Sequence, residues 1–255
     1  MSKIFAVAGV VFMELYRRKD FYVLFILTAL ITVVLGAVGD QQAVGYLKEI
    51  CLLLIWVSSL VIAITTAARQ IPAERESRTI FPLLAKPVSR AQVLLGKFAG
   101  CWLASGVALL VFYIFFGLVA ASREHELHLE LYAQAVWLHW QALGIVTALT
   151  LLGSLVLSAP APNITIVFII SVGCLYVSRY LHLVAARMTE PGQTITGVIY
   201  YTVPQLWFFD QRALVIHNWP AIAWIWVGLA TVYGALYSGF FLFAACLIFR
   251  RKALN

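Results

Sequence analysis

The sequence predicts an all-α polytopic membrane protein with six transmembrane helices, and three observations carry that prediction. Hydrophobic residues fill 63% of the 255 positions and charged residues only 11%, with a mean hydropathy of +0.93. A soluble domain of this size is about one-quarter charged. Apolar runs of the length needed to cross a hydrocarbon core of roughly 30 Å recur along the chain. Finally, the basic residues fall mostly on one of the two sides that six crossings create. The chain reads as a single domain, 1–255. Around the spans it adds an N-terminal interfacial helix, a cytoplasmic coupling loop between spans two and three, and an outer segment between spans five and six that is either re-entrant or an ordinary aromatic loop.

Residues 3–18 open the chain as a helix on the membrane surface. Ile4, Ala8, Val11, Phe12 and Leu15 follow helical spacing, while Glu14, Arg17 and Arg18 collect at its end. The first span is Phe21–Val38 and Asp40–Glu49 a short polar turn. The second span is Ile50–Ala68. The third, Phe98–Ala121, runs into SREHELHLE. No residue from Leu131 to Ser178 is charged, too long an interval for one helix. The run Ser158-Ala-Pro-Ala-Pro-Asn163 divides it into span four, 133–157, and span five, 164–180. An aromatic outer segment, 181–220, is broken by Pro204, Asp210 and Pro220. Span six, 222–249, is closed by Arg250, Arg251 and Lys252.

Six spans place both termini on one side. That side holds thirteen of the 18 Lys and Arg residues, so the positive-inside rule puts both termini and the loop at 69–97 in the cytoplasm. The net charge of +7 follows from this loop asymmetry. A nucleic-acid partner is excluded, because the basic residues flank apolar spans without an aromatic platform between them. The four cysteines lie in or beside apolar runs and form no CxxC, so they read as small packing residues. No cleavable signal peptide is expected, since the strongest charge cluster follows the first apolar stretch.

The loop RQIPAERESRTIFPLLAKPVSRAQVLLGK, Arg69 to Lys97, is the long polar interval on which the rest turns. Pro72 suits the first turn of a helix, and Glu74 and Glu76 then favour its positive end. Glu74 and Arg78 are four apart and pair on one face. Pro82 ends that helix, residues 83–88 form an elbow, and Ser89 caps the next helix. A short helix, a proline-bounded corner and a second helix at a membrane surface describe a docking element. The alternative is a plain basic loop.

The stretch ERESRTIFPLLAKPVSR followed by LLGKFAG resembles the segment between spans two and three of type-2 ATP-binding-cassette (ABC) transporter permeases. Glu74, Glu76, Thr79, Leu83, Leu84, Pro87, Val88, Ser89, Arg90, Gly96 and Lys97 fill the family's places; Arg78 stands where the family usually has glycine. Pro204, Leu206, Phe209, Asp210 and Arg212 similarly resemble the family's outer segment, which dips into the outer leaflet, with Trp207 and Trp219 suited to the interface. The resemblance implies a bacterial cytoplasmic (inner) membrane permease, an exporter, paired with a second permease subunit as a homodimer. Each loop docks on an ABC ATPase subunit, two copies in all, through Glu74, Glu76, Arg78, Thr79, Phe81, Leu83, Leu84, Lys86, Pro87 and Arg90. This chain then holds no cofactor; ATP and magnesium belong to the partner ATPase. Substrate passes between facing subunits along spans two and five, where Ser58, Ser59, Thr65 and Thr66 supply hydroxyls. The alternative use of those hydroxyls is helix packing.

Catalytic groups are missing from this reading. His125 and His128 in EHELH fall one residue short of the zinc helix H-E-x-x-H and read as a solvated helix end. His139, His182 and His217 are scattered without ligand spacing, and nothing in sequence activates Ser154. No Walker A loop surrounds Gly96-Lys97, since Ala91 and Phe98 break it. The spans as drawn are almost free of charge, so a proton-driven mechanism lacks its groups. The energy must come from a partner. Two other classes stay open: a membrane scaffold that recruits a soluble protein without transport, and a lipid-acting enzyme at the outer His/Glu cluster.

Overall fold

A computed structural model describes residues 8–11, 13, 19–37, 41–76, 89–124, 128–157 and 159–251. They are almost entirely helical, with no strand among them. We number the helices α1 (Lys19–Ala37), α2 (Gln41–Glu76), α3 (Arg90–Glu124), α4 (Leu129–Val156) and α5 (Pro160–Val172). A π turn, Gly173–Val177, joins α5 to α6 (Ser178–Ala185). Then follow α7 (Gly192–Thr202), a 3₁₀ turn (Leu206–Phe209), α8 (Arg212–His217) and α9 (Trp224–Arg251).

Five stretches are long and apolar enough to cross a membrane: Gly45–Pro72, Arg90–Arg123, Leu129–Val156, Pro160–Leu181 and Trp224–Arg251. They coincide with spans two to six of the sequence reading. The first expected span falls on α1, whose apolar stretch Tyr22–Val34 is shorter.

Three boundaries differ from expectation. Residues 41–49 are helical rather than a polar turn, so α2 is 36 residues long. Pro72 does not open a new helix; it lies inside α2. An interior proline removes one helix hydrogen bond and crowds the carbonyl four residues back. Packing compensates, because Ala67, Ala68 and Ile71 around it are fully buried. The helix before span five closes at Val156, and Pro160 is the first residue of α5, the position where a missing N–H costs nothing.

The uncharged middle of α4 dictates its place. A helix apolar on every face is stable only when surrounded, and α9, α2, α3 and α5 all pack on it. Its seam with α3 repeats one local pattern, Trp-x-x-x-Gly, at Trp102/Gly106 and Trp140/Gly144. The indole N–H of Trp102 donates to the Trp140 carbonyl (3.0 Å), and that of Trp140 to the Trp102 carbonyl (2.9 Å). The rings stack at 4.6 Å, each lying over the other helix's glycine. Two antiparallel helices are thereby keyed in one register.

The alternation of helix directions creates two ends. A basic end gathers the close of α2, α4 and α9 with the starts of α3 and α5. Residues 8–11 lie there too: Ala8 and Val11 are buried while Val10 and Met13 are exposed. Gly100 of α3 allows that approach, since a Cβ there would sit 2.7 Å from Val11 Cβ. Of the interfacial helix expected at 3–18, residues 3–7, 12 and 14–18 lie outside the described residues. The aromatic end gathers the starts of α2, α4 and α9, the close of α3, and residues 203–220.

Candidate functional site

At the basic end, both arms of the central loop are continuous with long helices. Ser89 starts α3 with a reciprocal cap: its Oγ accepts from the Gln92 N–H (3.2 Å), and Gln92 Oε1 accepts from the Ser89 N–H (3.0 Å). The next residue, Arg90, donates to the Phe249 carbonyl (2.8 Å) and its guanidinium lies 5.6 Å over the Phe249 ring. A cation at the end of α9 meets carbonyls that have no helical partner. Lys97 is buried, and its Nζ donates to the Gln70 carbonyl (3.1 Å) and to Gln70 Oε1 (3.3 Å). The two arms of the loop are therefore clamped to each other, and one of them to α9. Of the residues expected to face a partner, Glu74 and Glu76 lie on the last turn of α2 and Arg90 on the first of α3. Arg78, Thr79, Phe81, Leu83, Leu84, Lys86 and Pro87 lie outside the described residues, as does the elbow at 83–88.

At the aromatic end, the outer segment is divided. Helix α7 has no buried residue: Ile195, Val198 and Ile199 are all exposed. From Pro204 onward the chain turns into the bundle, and Pro204, Gln205, Leu206, Phe209 and Val215 are buried. Of the outer segment, the part from Pro204 is the part packed against the spans. Gln205 fixes the turn, donating its N–H to the Tyr233 hydroxyl (2.9 Å) and its amide to the Tyr200 carbonyl (2.6 Å). Its Oε1 accepts from the Trp207 indole (3.1 Å). Phe209 seats against Gly234 of α9, where a Cβ would come within 3.3 Å of the ring.

The six-residue helix α8 is held at both ends. Asp210 Oδ1 accepts from the Arg212 N–H (3.1 Å), and both carboxylate oxygens take the guanidinium at 2.8 and 2.7 Å. Burial alone would lower the Arg212 pKa; the paired Asp210 carboxylate outweighs it, and the guanidinium is held above its ordinary value. At the other end Asn218 adopts a left-handed backbone (φ 50°), a common helix stop. Lys48, buried on α2, donates Nζ to the Val215 carbonyl (3.1 Å) and to Asn218 Oδ1 (2.8 Å).

Arg212 then reaches inward. Its guanidinium donates to the Tyr176 hydroxyl (3.1 Å) and lies 5.8 Å over the Trp56 ring. Trp56 stacks on His139 at 3.8 Å. His139 is fully buried, with Nε2 2.9 Å from Ser59 Oγ and Nδ1 3.4 Å from the Tyr113 hydroxyl. Ser59 Oγ also reaches the Trp56 carbonyl (3.0 Å). Ser59, His139 and Tyr113 thus form one buried hydrogen-bonded chain, with the imidazole between two hydroxyls.

The expected pathway hydroxyls are used inside the chain. Ser58 meets Thr28 of α1 (3.3 Å), Ser59 belongs to the His139 chain, and Thr66 is buried. Thr65 bonds back to the Val61 carbonyl (2.7 Å) and is part-exposed, on the stripe that also presents Ile50, Leu53 and Val57. His128 precedes α4 without capping it, and His125 lies outside the described residues. Among the described residues no group of three metal-ligating side chains occurs.

No local sequence pattern joins Lys48, Lys97 or His139 to the partners they meet in the fold. A family model described as ABC-2 family transporter protein matches residues 50–236. No curated protein matches the chain.

Proposed function

The chain belongs to the ABC-2 family of transporter proteins, and on that premise we propose that it is the permease subunit of an exporter driven from its basic end by a separate ATPase. The observation that carries this reading is the clamp at the loop's two arms. A loop that only distributes charge needs no rigid connection to the spans. Here Lys97 ties α3 to the last turns of α2, and Arg90 ties α3 to the close of α9. A push delivered between Glu76 and Ser89 would therefore move three spans together.

On this reading the basic end and both termini face the cytoplasm of a bacterium, as the charge asymmetry requires. The ATPase docks on Phe81, Leu83 and Leu84, because buried apolar residues carry most interface energy. Glu74, Glu76, Arg78, Thr79, Lys86, Pro87 and Arg90 set register around them. A second copy of the permease faces the stripe Ile50, Leu53, Val57 and Thr65 of α2 beside the exposed Ile166, Ile169 and Ile170 of α5. The apolar character of that face favours a lipidic or amphipathic cargo.

The test is copurification. Wild type should bring down an ATP-hydrolysing subunit, and Leu83→Ser with Leu84→Ser should lose it while the spans still insert. Each leucine is worth roughly 1.5–3 kcal/mol if fully buried. Undiminished ATPase binding by the double variant would reduce the loop to a topological charge cluster.

A further inference from the structure

We propose that a cleft between α3 and α4 is a binding site for one acyl chain of a membrane phospholipid. The cleft encloses about 620 Å³ and runs from Leu103 to Leu118 on α3 and from Leu129 to Trp140 on α4. Fifteen residues of helix rise about 22 Å, more than the ~15 Å of one leaflet's hydrocarbon. Gly117 makes room for it. Gly106 and Gly117 form its buried floor, and a Cβ at Gly117 would find only Tyr132, at 3.7 Å. The Trp102–Trp140 pair over Gly106 closes it toward the basic end.

The lining decides the ligand. A site for a polar molecule aims a few unspent donors or acceptors into its cavity. Three polar tips in the lining are spent elsewhere. The Tyr113 hydroxyl turns to His139, the Trp137 indole donates to Thr231 (2.9 Å), and the Trp140 indole to the Trp102 carbonyl. Apart from the Tyr132 hydroxyl, what is left is hydrocarbon and ring faces, which suit a chain that needs no hydrogen bond. Water gains nothing there. The rim residues Val107, Ile114 and Leu118 are exposed on spanning helices, so the cleft opens where acyl chains are the surrounding medium.

The experiment uses the full chain in phospholipid vesicles carrying a trace of phospholipid with a photoreactive diazirine on one acyl chain. After irradiation and digestion, adducts should concentrate on 103–118 and 129–140 relative to α9. That helix is the more open of the three, with Phe240 and Phe243 exposed. Excess unlabelled phospholipid should compete. Gly117→Phe should lower cleft labelling roughly tenfold, as displacing about two buried methylenes does, and leave α9 labelling unchanged. Ala133→Phe, from the opposite wall, should do the same and stands in if the first variant does not fold. Equal labelling of α9 and the cleft in wild type means annular lipid only and overturns the site. So does labelling that neither variant reduces. The readout involves neither transport nor ATP hydrolysis, so its outcome is separate from that of the proposed coupling.

Discussion

Each end of the bundle is tied by a buried lysine, and the two ties differ in kind. Lys97 joins α3 to Gln70, 27 positions earlier, so it links the two arms of one loop. Lys48 joins α2 to Val215 and Asn218, 167 and 170 positions later, and caps a six-residue helix seated in the bundle. The first tie makes two long spans move together at the point where a loop can be pushed. The second holds a short piece of chain down. Under the proposed function, the first end transmits and the second stays put.

That contrast can be broken from either side. The largest stability effect should come from Lys48→Met. It strips charged donors from the carbonyl of Val215 and the Asn218 amide, each worth about 1.5–3 kcal/mol. Helix α8 should unseat, and a cysteine placed at Val215, fully buried in the wild type, should become reactive to a membrane-impermeant thiol reagent. Next is the α3–α4 seam. Gly106→Ala drives a methyl into the Trp140 ring, whereas Gly144→Ala meets Trp102 at 3.0 Å. The first should cost about 1–3 kcal/mol and the second less, read as a graded fall in unfolding temperature in one detergent. Equal losses would mean the two tryptophans are not keyed as a pair.

Asp210→Asn should be milder. The amide oxygen still accepts from the Arg212 N–H, but the charge and the second oxygen that accepts from the guanidinium are lost, roughly 1.5 kcal/mol. Labelling of the Val215 cysteine should rise less than in Lys48→Met.

The sequence foretold the spans it could signal by length and hydropathy, and the cap at Ser89 by residue type. It also isolated Pro204, Phe209, Asp210 and Arg212, all of which fall in the seated turn and the ion pair that starts α8. It did not reveal that Lys48 and Lys97 are buried. Each lies just outside a span as drawn and was counted as a loop charge. Burial of a lysine depends on who supplies the acceptor, and for Lys48 that acceptor is 167 positions away, beyond any local pattern. His139 was dismissed for want of ligand spacing. Its partners Ser59, Tyr113 and Trp56 come from two other helices, and only packing assembles them. Pro72 was read by its usual position at a helix start, but the buried Ala67, Ala68 and Ile71 override that preference. The Trp-x-x-x-Gly repeat was in plain sight and carried the α3–α4 register.

The central claim is that the clamp at the basic end transmits what the loop receives. Lys97→Met tests it, in vesicles with the ATP-hydrolysing partner and with Leu83 and Leu84 intact. The partner should still bind, because its apolar anchor is unchanged, while stimulation of its ATP hydrolysis by the permease should fall. Binding and stimulation both equal to wild type would contradict the account, leaving Lys97 as a packing residue and the coupling to be sought elsewhere.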